Sequence, residues 1–171
     1  FAAHHGDQIP FADPSRPHFE NIMTSEFPVS SCEFSVQPPL PQQRDAAIGC
    51  VGAGFIMADC HLVAYRAAGF NPIAIASRTP DRARQVAARH AIGTVYEDYR
   101  DLLADPRIEV VDIAVPPDVQ IDVVRAAVAE RSHIRGILAQ KPLGIDYAQA
   151  KLIVDLCADA GITLAVNQNM R

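Results

Sequence analysis

Tryptophan is absent, and the four cysteines (Cys32, Cys50, Cys60 and Cys157) are scattered, with no C-x-x-C pair among them. That scatter argues against both a zinc ribbon and the disulfide framework of a small secreted domain. The cysteines read instead as buried free thiols, Cys50 in an apolar strand and Cys157 on the apolar side of a helix. A reducing, cytoplasmic location follows as the expectation. Six histidines occur without H-x-x-x-H spacing, so no metal is expected, and His4-His5 reads as a solvated tail. No stretch approaches the roughly 20 apolar residues of a membrane span. Positive charge is not in excess either. The formal net charge of −5 points away from nucleic acid and anionic membranes as partners. The N-terminus also lacks the basic-then-apolar order of a secretory signal.

What is present divides into two unlike parts. Residues 1–44 hold Pro10, Pro14, Pro17, Pro28, Pro38, Pro39 and Pro41, seven of the 13 prolines, and show no sustained period. Proline removes the backbone donors that a helix or sheet would use, so this segment is expected to be an irregular or disordered arm. The chain starts at Phe1 while Met23 lies shortly before the patterned part, which suggests Met23 as the natural start. Residues 45–171 form the second part. With 49% hydrophobic residues over 171 positions, the chain can bury one ordinary core.

From Asp45 onward, strand and helix patterns alternate. Strands are predicted at Ala47–Val51, Pro72–Ala76, Val110–Ala114, Ile134–Ala139 and Ile162–Asn167, with a weak one near Thr94–Tyr96. Helices are predicted at Phe55–Ala68, Pro80–His90, Glu97–Leu103, Val119–Arg131 and Tyr147–Ala160. Thr79 can cap the helix that begins with Pro80. Asp146 with Gln149 makes a capping box, and Gly161 suits the left-handed position after a helix. The nearly continuous β-branched run at Val110–Ala114 is expected of a strand covered on both faces. Such alternation implies an α/β fold with a doubly wound parallel sheet joined by right-handed crossovers. Ligands of such sheets bind at the carboxyl ends of the strands.

The first strand runs into Gly52-Ala53-Gly54, followed by a helix. A strand, a tight glycine turn and a helix N-terminus together make a phosphate cradle. Gly52 permits the sharp turn, Gly54 permits close approach of a pyrophosphate, and Phe55 and Ile56 offer the first free helical N–H groups. The third small position of the usual fingerprint is Met57 here.

An absence carries the next inference. In NAD sites a carboxylate roughly 20 residues past the turn takes the ribose hydroxyls. No Asp or Glu lies between Asp59 and Asp81. The chain instead reads Ala76-Ser77-Arg78-Thr79-Pro80-Asp81-Arg82. Arg78 can stack on adenine or fork onto a 2′-phosphate, and Ser77 and Thr79 can donate to the same oxygens. The alternative reading makes Arg78 and Arg82 simply solvated charges around a helix start. The site residues therefore favour NADP over NAD.

Further elements follow in order. The fourth strand ends in Val115-Pro116-Pro117-Asp118, the fifth in Gln140-Lys141-Pro142-Leu143-Gly144, and the last in Asn167-Gln168-Asn169-Met170-Arg171. With the glycine turn, this set resembles the glucose–fructose oxidoreductase/inositol dehydrogenase family (Gfo/Idh/MocA) over about Ala47 to Arg171. The resemblance implies a Rossmann domain of an NAD(P)-dependent oxidoreductase acting on sugars, cyclitols or related hydroxyl and carbonyl compounds. It also implies that Lys141 is the family's catalytic lysine, placed beside the nicotinamide and the reacting oxygen. Gln140 and Lys141 then join the cofactor side of the site. An ammonium there can stabilise charge on the reacting oxygen. Pro116 and Pro117 shape the wall beside the cofactor or serve only as a helix start. Asn167 and Asn169 are candidate substrate-side groups or plain polar strand ends. For Tyr65 and His61, within the first helix, packing or surface roles are expected.

Gln140 stands where the family usually has Glu, and Met57 where it has a small residue, which suggests a first helix set farther from the sheet. The chain also ends where the family passes into its second α/β domain, the usual source of the acid/base histidine and of oligomer contacts. A fragment inactive alone is the resulting expectation. Two other readings stay open: a non-catalytic dinucleotide-binding regulatory module, and an S-adenosylmethionine-dependent methyltransferase, which would want the missing acid after the second strand.

Overall fold

The structure, a computed structural model, describes residues 40–168. Strand β1 (Ala47–Val51) leads through the glycine turn into a π-helical segment (Ile56–His61) that continues as α1 (Leu62–Ala68). Then follow β2 (Asn71–Ala76), α2 (Pro80–Arg89), β3 (Thr94–Tyr96), α3 (Tyr99–Leu103) and β4 (Val110–Ile113). The chain continues through α4 (Pro117–Ala129), β5 (Gly136–Gln140), α5 (Tyr147–Asp159) and β6 (Thr163–Asn167). The six strands form one sheet in the order β3-β2-β1-β4-β5-β6, and every pairing is parallel. Strand order reverses between β1 and β4. That is the switch point where doubly wound sheets open a crevice.

Alternation along the strands sends side chains into two cores. Val51, Ala76, Val111, Ile113, Ile137 and Ala139 pack with Leu102, Val124 and Ile153 from α3, α4 and α5. On the other face Ile48, Cys50 and Ile75 pack with Met57 from the π-helical segment, Leu62 from α1, and Ala83 and Val86 from α2. Met57 is fully buried there, within the π-helical segment. A π turn is wider than an α turn, and it accommodates a long side chain where the usual fingerprint has a small one. The sheet therefore keeps its helix in contact, with the Met57 side chain contributing about 1.5–3 kcal/mol by its burial.

The ends of the elements show which local signals acted. Asp146 Oδ1 accepts from Gln149 N at 2.8 Å, and Gln149 Oε1 accepts from Ile145 N at 2.9 Å. This is the reciprocal arrangement predicted, reaching one residue further back. Gly161 takes φ +70°, as predicted. Thr79 does not cap α2 with its side chain. Its own N–H donates to Ser77 Oγ at 3.2 Å, which ties the loop to the end of β2 instead. Helix α3 is capped by Asp98, whose carboxylate accepts from Arg100 N at 2.8 Å, so it starts two residues later than its apolar pattern suggests. Cys50 and Cys157 are buried as expected, but Cys60 is exposed on the outer side of the π-helical segment. Cys32 lies outside the described residues.

Candidate cofactor site

The glycine turn is held by its neighbours. Gly52 sits at φ +107°, and its N–H donates to Ala76 O at 2.8 Å, joining the carboxyl ends of β1 and β2. A Cβ on Gly52 would lie 2.4 Å from Ala114 O, at the end of β4. Gly52 is thus a wedge between two strands, and only glycine fits. Gly54 differs: a Cβ there would meet nothing within 4 Å. Its open side faces a cavity of about 420 Å³.

That cavity lies at the switch point. Its wall includes Gly52, Ala53 and Gly54 from the turn, Ser77, Arg78, Thr79 and Arg82 after β2, and Val115, Pro116 and Val119 after β4. Glu97, Asp98, Tyr99 and Arg100 close the side toward β3. Of the residues singled out from sequence, Gly52, Gly54, Ser77, Arg78, Arg82 and Pro116 come together on this wall. Phe55, Ile56, Pro117, Gln140 and Lys141 are not part of it. Phe55 and Ile56 present exposed apolar side chains, leaving only their backbone to serve a ligand.

The charges on the wall are sorted. Glu97 Oε1 accepts from Arg84 Nη2 at 2.9 Å, and Asp98 pairs with Arg100 at 3.2 Å. Arg78 and Arg82 have no hydrogen-bonded or ionic partner among the described residues, and both are exposed. Both wall acids thus have a cationic neighbour, Glu97 sharing Arg84 with Asp81, and two guanidiniums have none among the described residues. The β3 corner was not legible as part of the site, because a three-residue strand gave too weak a period to place its carboxyl end. Tyr99 carries the Arg100 guanidinium 4.8 Å from its ring centroid and adds a flat aromatic surface to that corner.

Lys141 is exposed immediately after β5, where its peptide bond to Pro142 is cis. Its loop is gripped from below by Gln120, a fully buried side chain on α4 that the sequence did not single out. Gln120 Nε2 lies 3.1 Å from Gln140 O, 3.3 Å from Pro142 O and 2.8 Å from Leu143 O. Gln120 Oε1 accepts from Gln140 N at 3.0 Å. One amide therefore satisfies the backbone on both sides of Lys141, and Gln140 Oε1 accepts from Lys141 N at 2.9 Å. A glutamine on the apolar side of α4, among Val119, Val123 and Val124, was the available signal. At the end of β6, Asn167 lies beside Gln140 in register and reaches back to His61. Asn169 lies outside the described residues.

A parallel sheet ordered 3-2-1-4-5-6, with a glycine-turn cavity at its switch point, defines a dinucleotide-binding Rossmann domain. A family model described as "Oxidoreductase family, NAD-binding Rossmann fold" (GFO_IDH_MocA) matches residues 46–168, and the chain belongs to that family. Among curated relatives, a D-xylose 1-dehydrogenase (NADP(+)) of Haloferax volcanii is 36% identical over 116 residues, covering 68% of this chain and 35% of the relative. The chain is similar in structure to an oxidoreductase from Agrobacterium radiobacter in complex with NAD+, L-tartaric acid and magnesium. The TM-score is 0.69 at 29% identity, over 74% of this chain and 36% of the other. A 3-ketoreductase from Actinomadura kijaniata, in complex with TDP-benzene and NADP, matches with TM-score 0.65 at 27% identity, over 72% and 37% of the two chains. The chain spans about a third of the length of the curated relatives it matches. NAD and NADP complexes both occur among its structural neighbours. No helix among the described residues is long and apolar enough to cross a membrane, and no cluster of metal-ligating side chains occurs among them.

Proposed function

We propose that this chain is the cofactor domain of an oxidoreductase that moves a hydride between NADP and a sugar, cyclitol or related hydroxyl or carbonyl compound. The observation that carries the NADP reading is the sorting of charge on the cavity wall. A 2′-phosphate needs donors and cations and is repelled by a free carboxylate. Just after β2, Ser77, Arg78 and Arg82 line the cavity with no partner for either guanidinium among the described residues, while Asp98 pairs with Arg100 and Glu97 shares Arg84 with Asp81. The open side of Gly54 leaves room for a pyrophosphate against the backbone. The nicotinamide supplies or accepts the hydride when the cofactor is bound. The chain's own contribution is an ammonium at Lys141, in the bend after β5 whose flanking backbone Gln120 holds, which can donate to the reacting oxygen.

Fluorescence titration with NADPH and NADH tests the cofactor preference. Losing a charged donor to a phosphate costs about 1.5–3 kcal/mol, or roughly 10- to 150-fold in affinity. Arg78→Ala is expected to weaken NADPH by that factor and NADH far less, and Ser77→Asp to move the ratio further toward NADH. A ratio unchanged in both variants overturns the NADP reading. In a turnover-competent protein carrying this domain, Lys141→Ala is expected to remove hydride transfer while leaving NADPH affinity within about twofold. A matching loss of affinity would make Lys141 a binding residue only.

A further inference from the structure

Strand β4 buries a carboxylate in the sheet face that α1 covers. Asp112 is fully buried, and its Oδ2 receives two groups from one helix. Tyr65 Oη donates to it at 2.6 Å, and His61 Nδ1 lies 2.8 Å away. The opposite ring nitrogen, His61 Nε2, is 2.6 Å from Asn167 Nδ2 at the carboxyl end of β6. His61 itself is buried. A hydrogen-bonded line thus runs from the middle of β4, through the first helix, to the last residue of the last strand.

The direction of each bond in that line can be worked out. Burial, with Asp112 next to it, pushes the Tyr65 phenol far above its usual range, so Tyr65 keeps its proton and donates. Asp112 Oδ2 is then an acceptor, and it takes the His61 Nδ1 proton as well. The atom facing Nε2 is Asn167 Nδ2, a donor only, so Nε2 is the acceptor there and carries a lone pair. The only end of a carboxamide that can meet a lone pair at this distance is its NH₂. The Asn167 carbonyl is then the end turned away from His61. Asn167 is half-buried and pairs in register with Gln140, the residue before Lys141.

We propose that His61, fixed by Asp112, is a positioning residue that holds the Asn167 carbonyl toward the carboxyl edge of the sheet as an acceptor for a ligand hydroxyl or amide N–H. The ligand half of this rests on the cofactor reading above; the orientation half does not. The shared chemistry is a hydrogen-bond donor, and it has two sources: the cofactor, through its ribose hydroxyls or carboxamide, and a polyol substrate.

Nitrogen-15 NMR of the His61 ring tests the orientation without any ligand. In the unaltered chain near neutral pH, His61 is expected to carry its proton on Nδ1 with Nε2 unprotonated. One Asn167 side-chain N–H is expected to exchange slowly with solvent. Asn167→Asp replaces the NH₂ by a group that can only accept, so Nε2 must gain a proton and its resonance must move to the protonated position. Because a new carboxylate favours the charged ring in any case, Asn167→Leu is the uncharged control: loss of the amide donor is expected to shift the Nε2 resonance from its hydrogen-bonded position, and a role confined to packing would not move it. A wild-type ring protonated on Nε2, or an Nε2 resonance unchanged in Asn167→Asp, overturns the proposal. In a second arm the Asn167 side-chain carbonyl carbon is followed while NADP+ is added, then D-xylose. A shift with NADP+ alone assigns the donor to the cofactor, and a shift only with both present assigns it to the sugar. Movement of the Gly52–Gly54 amides with a silent Asn167 in both additions overturns the acceptor role and leaves the cofactor reading standing. Silent glycine amides refute the cofactor reading itself and the ligand half with it, while the ring measurement still decides the orientation.

Discussion

Replacing Gly52 and Gly54 by alanine in turn separates the two jobs that one glycine motif performs. At Gly52 the added methyl meets two penalties. A left-handed φ of +107° costs a non-glycine residue about 1–2 kcal/mol. A Cβ placed 2.4 Å from Ala114 O must also push apart the ends of β1 and β4, because the obstacle is backbone and cannot rotate away. Overpacking of that kind costs about 1–3 kcal/mol. Gly52→Ala should therefore lose roughly 2–5 kcal/mol in urea denaturation, with a fall in Tm of about 10 °C or more for a domain of this size. Gly54→Ala meets no atom within 4 Å and should stay within about 0.5 kcal/mol of the parent. Its methyl instead occupies the space where a pyrophosphate would touch the backbone, so NADPH affinity should fall at least about tenfold. The diagnostic result is the crossed pattern: one variant unstable, the other stable and unable to bind. A Gly54→Ala chain that binds NADPH like the parent would refute the cradle. A Gly52→Ala chain with unchanged Tm would refute the wedge.

Gln120→Ala leaves the Gln140 N–H and three carbonyls around Lys141 without their buried partner, and should cost about 2–4 kcal/mol in chemical denaturation. Gln120→Leu should recover the lost volume but not the stability; recovery would mean that the amide only fills space. Burial raises the Cys50 thiol well above its ordinary range, whereas Cys60 is exposed. Iodoacetamide at pH 8 should therefore label Cys60 and spare Cys50 in the native chain, as read by peptide mass mapping. The Arg107 guanidinium forked on Asp105 holds that carboxyl well below the usual carboxylate range. A depressed folded-state value stabilises the native chain above the unfolded-state value of about 4 and loses that contribution as pH falls. Asp105→Asn should thus be less stable than the parent at pH 7, and the two should converge in acid; a constant gap down to pH 2 would exclude the ion pair as the cause.

The fold was legible because its signals are local and repeated. Each strand from Ala47–Val51 onward is a short apolar run, and each following helix has a punctuating cap, proline or glycine. The parallel alternation leaves few topologies open. Half of the candidate site was legible for the same reason: Gly52, Gly54, Ser77, Arg78 and Pro116 sit at the first residues after strands, where position in the pattern implies position in space. The parts that were missed depend on contacts far apart in sequence. Gln120 resembles any polar residue on a helix until the β5 loop, some 20 residues on, supplies the backbone groups it holds. His61 looked like a packing or surface residue because its partners are 51 and 106 positions away. No local period encodes such pairings.

Helix α4 links the two sides of this site. Pro116, which caps it, and Val119 in its first turn lie on the cavity wall, and the next residue, Gln120, grips the backbone from Gln140 to Leu143. The spacing between the nucleotide wall and the Lys141 loop is therefore set within a single rigid element rather than across two independent loops. Rigid elements place reacting groups more closely than loops do, and hydride transfer is sensitive to misplacement on the scale of an ångström. Met57 and the π-helical segment fix the opposite wall by burying the first helix against Cys50 and Ile75. Asn167 is tied to that same helix through His61, so the ends of β1, β4, β5 and β6 are referenced to one another through side chains as well as through the sheet. A substrate-side partner would thus meet a carboxyl edge whose polar groups are already aimed.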